Sequence, residues 1–324
     1  MHVKAAVNVR LSGVLGSDLY AAFVSMTVGL LLLSVAFPFG PPYSEVKVKL
    51  TELTWRQWYF WIGGLLGCCY LTSAVVIPPK IGFSLYYICN VLGQLFCSVT
   101  LDHFGVLNLQ QKRIQLSRAI GIVLLIGSAV MAQDFTSSKT LFSPAVAAAC
   151  CVATFIVGCL MPLQALFNRS LAGVLLTRVR AVCVSFFVAS LTLLVASAIA
   201  HRFQPLQFNM EPSLWWAWLG GAFGVCYLSA TIALPSFIGL SFFFMLAIAG
   251  QLAVSLVLDD FGFLDVTVIP ATPQRIAAVC CACVGCVFVQ IDVVAQMKAL
   301  TQRRTFFELQ EKSSVQLSEL SKPS

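Results

Sequence analysis

Four polar side chains recur at intervals of four: Asn90, Gln94, Ser98 and Asp102. That interval is close to one helical turn, so the set forms one stripe on a helix. A second set, Gln251, Ser255 and Asp259, repeats the pattern, with Ala247 where the first has Asn90. Amides and hydroxyls of this kind offer hydrogen bonds to a solute or a neighbouring helix. They are weak nucleophiles without an activating base. Two phenols join them, Tyr70 and Tyr227, each closing the motif GG-x-x-G-x-x-Y. The motif puts Gly63, Gly67 and Tyr70 on one helical face, and Gly220, Gly224 and Tyr227 on another.

Other chemistries find no support. The thirteen cysteines all lie in apolar runs, where a free thiol behaves as a small hydrophobe. The cluster Cys280, Cys281, Cys283 and Cys286 has no neighbouring His or carboxylate, and its members point around a helix rather than converging. No metal and no cofactor is expected. The three histidines, His2, His103 and His201, are not deep in any apolar run, and no carboxylate lies at the centre of one. An embedded enzyme would need a clustered nucleophile, base or ligand set. A proton-driven exporter ordinarily relies on a central acidic residue.

The elements that must carry these residues are membrane helices. Hydrophobic residues make up 59% of the 324, and charged residues 10%, against about 25% in soluble domains. A helix crosses the hydrocarbon with about 20 apolar residues. Nine segments qualify: 19–38, 57–78, 81–101, 116–133, 143–166, 179–200, 214–234, 237–258 and 275–296. They are too long and too continuous for barrel strands, so the class is an all-α polytopic membrane protein. The formal charge of +7 belongs to loops and tail, which predicts no nucleic acid partner.

Residues 58–105 and 215–262 align without a gap at an offset of 157, with 20 of 48 positions identical. Many identities are Gly, Pro, Gln or Asp, which lipid exposure alone does not select. Internal duplication explains them. Upstream, Asn8, Leu11, Gly13, Val14 and Leu15 match Asn168, Leu171, Gly173, Val174 and Leu175. The unit therefore has five helices, and the first copy lacks, or holds only a truncated form of, its opening helix. The division is 1–138 for the first repeat, 139–297 for the second and 298–324 for a charged tail.

An odd number of helices per unit predicts that the second copy is inverted relative to the first. Placing Lys and Arg on alternate sides puts fourteen with the tail and six opposite, which together are the 20 present. The positive-inside rule then predicts a cytosolic C-terminus.

Within this frame Gly63, Gly67, Gly220 and Gly224 are expected to pack helices closely. Gln94, Ser98, Gln251, Ser255 and Asn90 either lock helices together or line a solute path, with Tyr70 and Tyr227 as further path candidates. Arg118 and Arg275 open helices, where the dipole disfavours a cation. Asp102 and Asp259, in LDHFG and LDDFG, are their natural partners.

The combined pattern GGLLGCCY/GGAFGVCY, P-x-x-IG, GQ-x-x-x-S and LD-x-FG resembles the YdcZ-type exporter family of the drug/metabolite transporter superfamily, over 8–133 and 143–296. The resemblance implies paired inverted five-helix units and transport of small metabolites or drugs. Single-unit members would have to pair, and this chain resembles a fused form. Its expected partners are the bilayer and a small solute, with a homodimer left open. Either nine helices suffice, or a start upstream supplies a tenth. A channel-like pore and a non-transporting membrane scaffold are the alternatives to a carrier.

Overall fold

A computed structural model describes residues 2–81, 83–109, 111–112, 115–132, 143–201, 212–261 and 271–289. Every regular element among them is helical. In chain order they are α1 (His2–Leu15), α2 (Asp18–Ala36), α3 (Tyr43–Thr51), a 3-10 run Trp55–Ile62, α4 (Gly63–Val76), α5 (Pro78–Ile81) and α6 (Phe83–Phe104). There follow a 3-10 turn Val106–Asn108, α7 (Leu116–Met131), α8 (Pro144–Val174), α9 (Arg178–His201) and a 3-10 run Pro212–Leu219. Finally come α10 (Gly220–Ala233), α11 (Pro235–Ile238), α12 (Leu240–Phe261) and α13 (Pro273–Val289).

Among the described residues five stretches are long and apolar enough to cross a bilayer: Asp18–Ala36, Pro144–Val174, Arg178–Ala200, Trp215–Ile238 and Leu240–Val257. Helices α7 and α13 are apolar but shorter. The expected spans 57–78 and 214–234 each divide at a glycine, Gly63 or Gly220, where a 3-10 run hands over to an α-helix. The connector 39–56 contains α3. Side chains such as Leu31 and Val35 on α2, Ile156 on α8 and Ile199 on α9 are more than half exposed. Facing water they would form an untenable apolar surface, whereas facing lipid they cost nothing.

The first copy holds a truncated opening helix, α1, with 14 residues against the 31 of α8. Lys4 and Arg10 lower its hydropathy, yet Val7, Leu11, Val14 and Leu15 form a buried face. It matches the C-terminal end of α8, which continues past residue 166 through Asn168 to Val174.

Each glycine-rich helix packs on the other half of the chain. Helix α4 lies against α8 and α9, and α10 against α1 and α2. The contacts are backbone-close. A Cβ on Gly64 would stand 2.3 Å from the Ser185 carbonyl oxygen, and one on Gly221 would stand 2.4 Å from that of Ser25. Gly63 likewise makes room for the Asn168 side-chain amide, and Gly220 for that of Asn8. In sequence, Asn8 matches Asn168 and Gly63 matches Gly220, so these are corresponding contacts.

Corresponding helices also meet end to start. Arg180, opening α9, donates to the Pro41 carbonyl at 2.9 Å and the Phe37 carbonyl at 3.4 Å, just past the end of α2. Asp102, ending α6, meets the first residues of α12. Gln274, opening α13, donates from Nε2 to the Met131 carbonyl at 3.0 Å, at the end of α7. The pairs α2–α9, α6–α12 and α7–α13 therefore run antiparallel.

Candidate solute cavity

A cavity of about 190 Å³ opens where α2, α4, α8, α9 and α10 approach one another. Its position follows from the glycine motifs. Small residues let α4 close on α9 at Gly64 and α10 close on α2 at Gly221, and three residues beyond Gly67 and Gly224 each helix presents its tyrosine. Tyr70 and Tyr227 both line the space, with Gly67 and Gly224 beside them. Both rings also pack against one apolar cluster that includes Met161 and Ala165. The Tyr227 hydroxyl is buried and has no hydrogen-bond partner among the described residues.

Three further polar or soft groups come from α8 and α9. Gln164 and Met161 project from α8 and Ser185 from α9. Gly67 makes room for Gln164: a Cβ there would stand 2.7 Å from its Nε2. The Ser185 hydroxyl bonds Oδ1 of Asn168, which is fully buried. Pro162 lies between Met161 and Gln164 in α8, where its ring removes the N–H that would bond the Gly158 carbonyl. The remaining lining is apolar or aromatic, including Met26, Phe186 and Phe223, and among the described residues no Asp, Glu, Lys, Arg or His is part of it.

The amide stripe lies elsewhere. Gln94 is 3% exposed and donates from Nε2 to Oδ1 of Asn90, and Ser98 donates to the Leu95 carbonyl of its own helix at 3.1 Å. Their neighbours are α8 and α12, and Gly93 meets Gly158 at backbone distance. None of Asn90, Gln94, Ser98, Gln251 or Ser255 lines the cavity. Gln251 is buried and Ser255 is half-buried in α12.

Asp102 and Arg118 form a buried cluster. Arg118 Nη2 lies 2.8 Å from Asp102 Oδ2 and also bonds the Ser241 hydroxyl. Its Nη1 donates to the Lys112 carbonyl at 3.0 Å. The carboxylate accepts the backbone N–H groups of Leu240 at 3.1 Å and Ser241 at 2.9 Å, capping α12. In the second copy the Asp259 side chain lies outside the described residues, and the backbone N–H of Arg275 donates to Thr272 Oγ1 at 3.3 Å.

Gln164 was not legible as a partner of the tyrosines. At the offset of 160 set by Asn8 and Asn168 it matches Lys4, so no repeated amide marks it.

The sequence profile described as "Putative inner membrane exporter, YdcZ" matches residues 1–131 and 149–288. The chain belongs to the YdcZ family. Two matched segments agree with a two-repeat form of YdcZ, and the family description is that of a membrane exporter rather than an enzyme. The chain is thus an integral membrane protein of the exporter type. A solved crystal structure shares the fold, with a TM-score of 0.60 at 17% identity, over 85% of this chain and 88% of that one. No curated protein gives a significant match.

Proposed function

We propose that this YdcZ member is an alternating-access carrier that exports small solutes, with its binding site in the cavity shared by Tyr70 and Tyr227. One observation carries the reading: the same motif from each half supplies a tyrosine to one cavity. A pseudo-two-fold site of that kind lets rocking of one half against the other expose it to each side in turn. The antiparallel pairing of α2 with α9, α6 with α12 and α7 with α13 supports inverted five-helix units, and nine or ten spans in all. Loop charge supports a cytosolic C-terminus.

Metabolites of cells lacking the protein and cells overproducing it test the reading. A compound retained in the first and depleted from the second is the expected result. Saturable counterflow of that compound through liposomes holding the purified protein distinguishes a carrier from a pore, which gives unsaturable flux. A full panel with no flux would favour a membrane scaffold.

A further inference from the structure

The lining of the cavity restricts what can occupy it. Among the described residues no ionic side chain lines the space, so a charged solute would enter with no counter-ion from them and would lose its hydration uncompensated. The ion pair nearest in character, Arg118 with Asp102, is committed to Ser241, Leu240 and Lys112. Four rings line the walls: Tyr70, Phe186, Phe223 and Tyr227. Rings of this number favour a planar guest through stacked or edge-on contacts. The volume of about 190 Å³ is of the order of an apolar cavity of about 150 Å³ that takes up benzene.

Polar groups are few and come from different helices. The Tyr227 hydroxyl is buried without a partner, which is unfavourable until something bonds it. Gln164, 7% exposed on α8, brings both a donor and an acceptor to the same space, in room that a Cβ on Gly67 would take. We infer that the cavity takes an uncharged single-ring aromatic solute with one hydrogen-bonding substituent, held by Gln164 and Tyr227. This rests on the carrier reading only for its role as cargo; binding stands by itself.

Three isosteric probes separate charge from shape: benzamide, benzoate and benzamidinium. Equilibrium dialysis against the purified full chain in liposomes is expected to give benzamide a Kd at least about tenfold below that of either ion. Tyr227→Phe and Gln164→Leu are each expected to weaken benzamide about fivefold, the loss of one hydrogen bond. An unchanged thermal midpoint shows that each variant is folded. Equal or tighter binding of benzamidinium, as cation–π contacts alone would give, overturns the inference. So does absence of benzamide binding, or benzamide affinity unchanged in both variants. Benzamide bound without counterflow upholds the site and overturns the carrier reading. Counterflow of another metabolite that benzamide does not compete with upholds the carrier and overturns the assignment of cargo.

Discussion

The Arg118 guanidinium lies 2.8 Å from the Asp102 carboxylate, with both side chains 1% exposed. The pair joins two consecutive helices of one repeat, and through Asp102 it also caps α12 of the other. Removing one partner of such a pair strands a charge, at a cost of about 3–5 kcal/mol. Asp102→Asn is therefore expected to lower the thermal midpoint sharply in detergent. Adding Arg118→Met to it should recover part of the loss but not all, because the cap on Leu240 and Ser241 stays weakened. Full recovery would mean that the cap contributes nothing.

Glycine clearances predict a graded series. Gly64→Ala drives a Cβ against the Ser185 carbonyl, and Gly93→Ala drives one to 2.1 Å from that of Phe155. Backbone cannot yield as a side-chain tip does, so each should cost about 1–3 kcal/mol. Gly127→Ala and Gly250→Ala meet nothing within 4 Å and should be neutral, or stabilising by up to about 1 kcal/mol. Melting curves of the four variants check the ranking.

Because no carboxylate, His or Lys lines the cavity, binding of a neutral probe is expected to be flat between about pH 6 and pH 8. A sigmoidal change in benzamide affinity across that window would place a titrating group at the site.

Orientation is checked by epitopes. One placed after Ser324 should be reached by antibody only once cells are permeabilised. In sealed membrane vesicles with the cytosolic face inward, one inserted at Lys139 should be reached without permeabilisation, since the loop-charge count puts it on the opposite side.

Much of the architecture was legible because duplication repeats its informative residues. Tyr70 and Tyr227 stand out only when the two copies are laid together, and the cavity brings them together. The closeness of Asp102 to Arg118 could be read from a cation at a helix start and an acid at the preceding helix end. What could not be read was which neighbour covers a face. Helical spacing groups Asn90, Gln94 and Ser98 on one stripe, yet a bilayer helix has several neighbours, and the stripe met α8 and α12 rather than the cavity. Helix α1, the truncated opening helix, is not among the nine apolar runs for a related reason. Hydropathy averages over the whole circumference, so Lys4 and Arg10 masked a face that Val7 and Leu11 bury.

The exchange of α4 and α10 between halves has a consequence for biogenesis. The thiol of Cys68, one turn past Gly64, donates to the Ala189 carbonyl, 121 residues later in the chain. Until α8 and α9 have been synthesised, the small-residue face of α4 has no protein to meet and must wait in lipid. Contacts of such separation form late and slowly. The first half thus matures only on arrival of the second, so the chain becomes competent all at once rather than repeat by repeat.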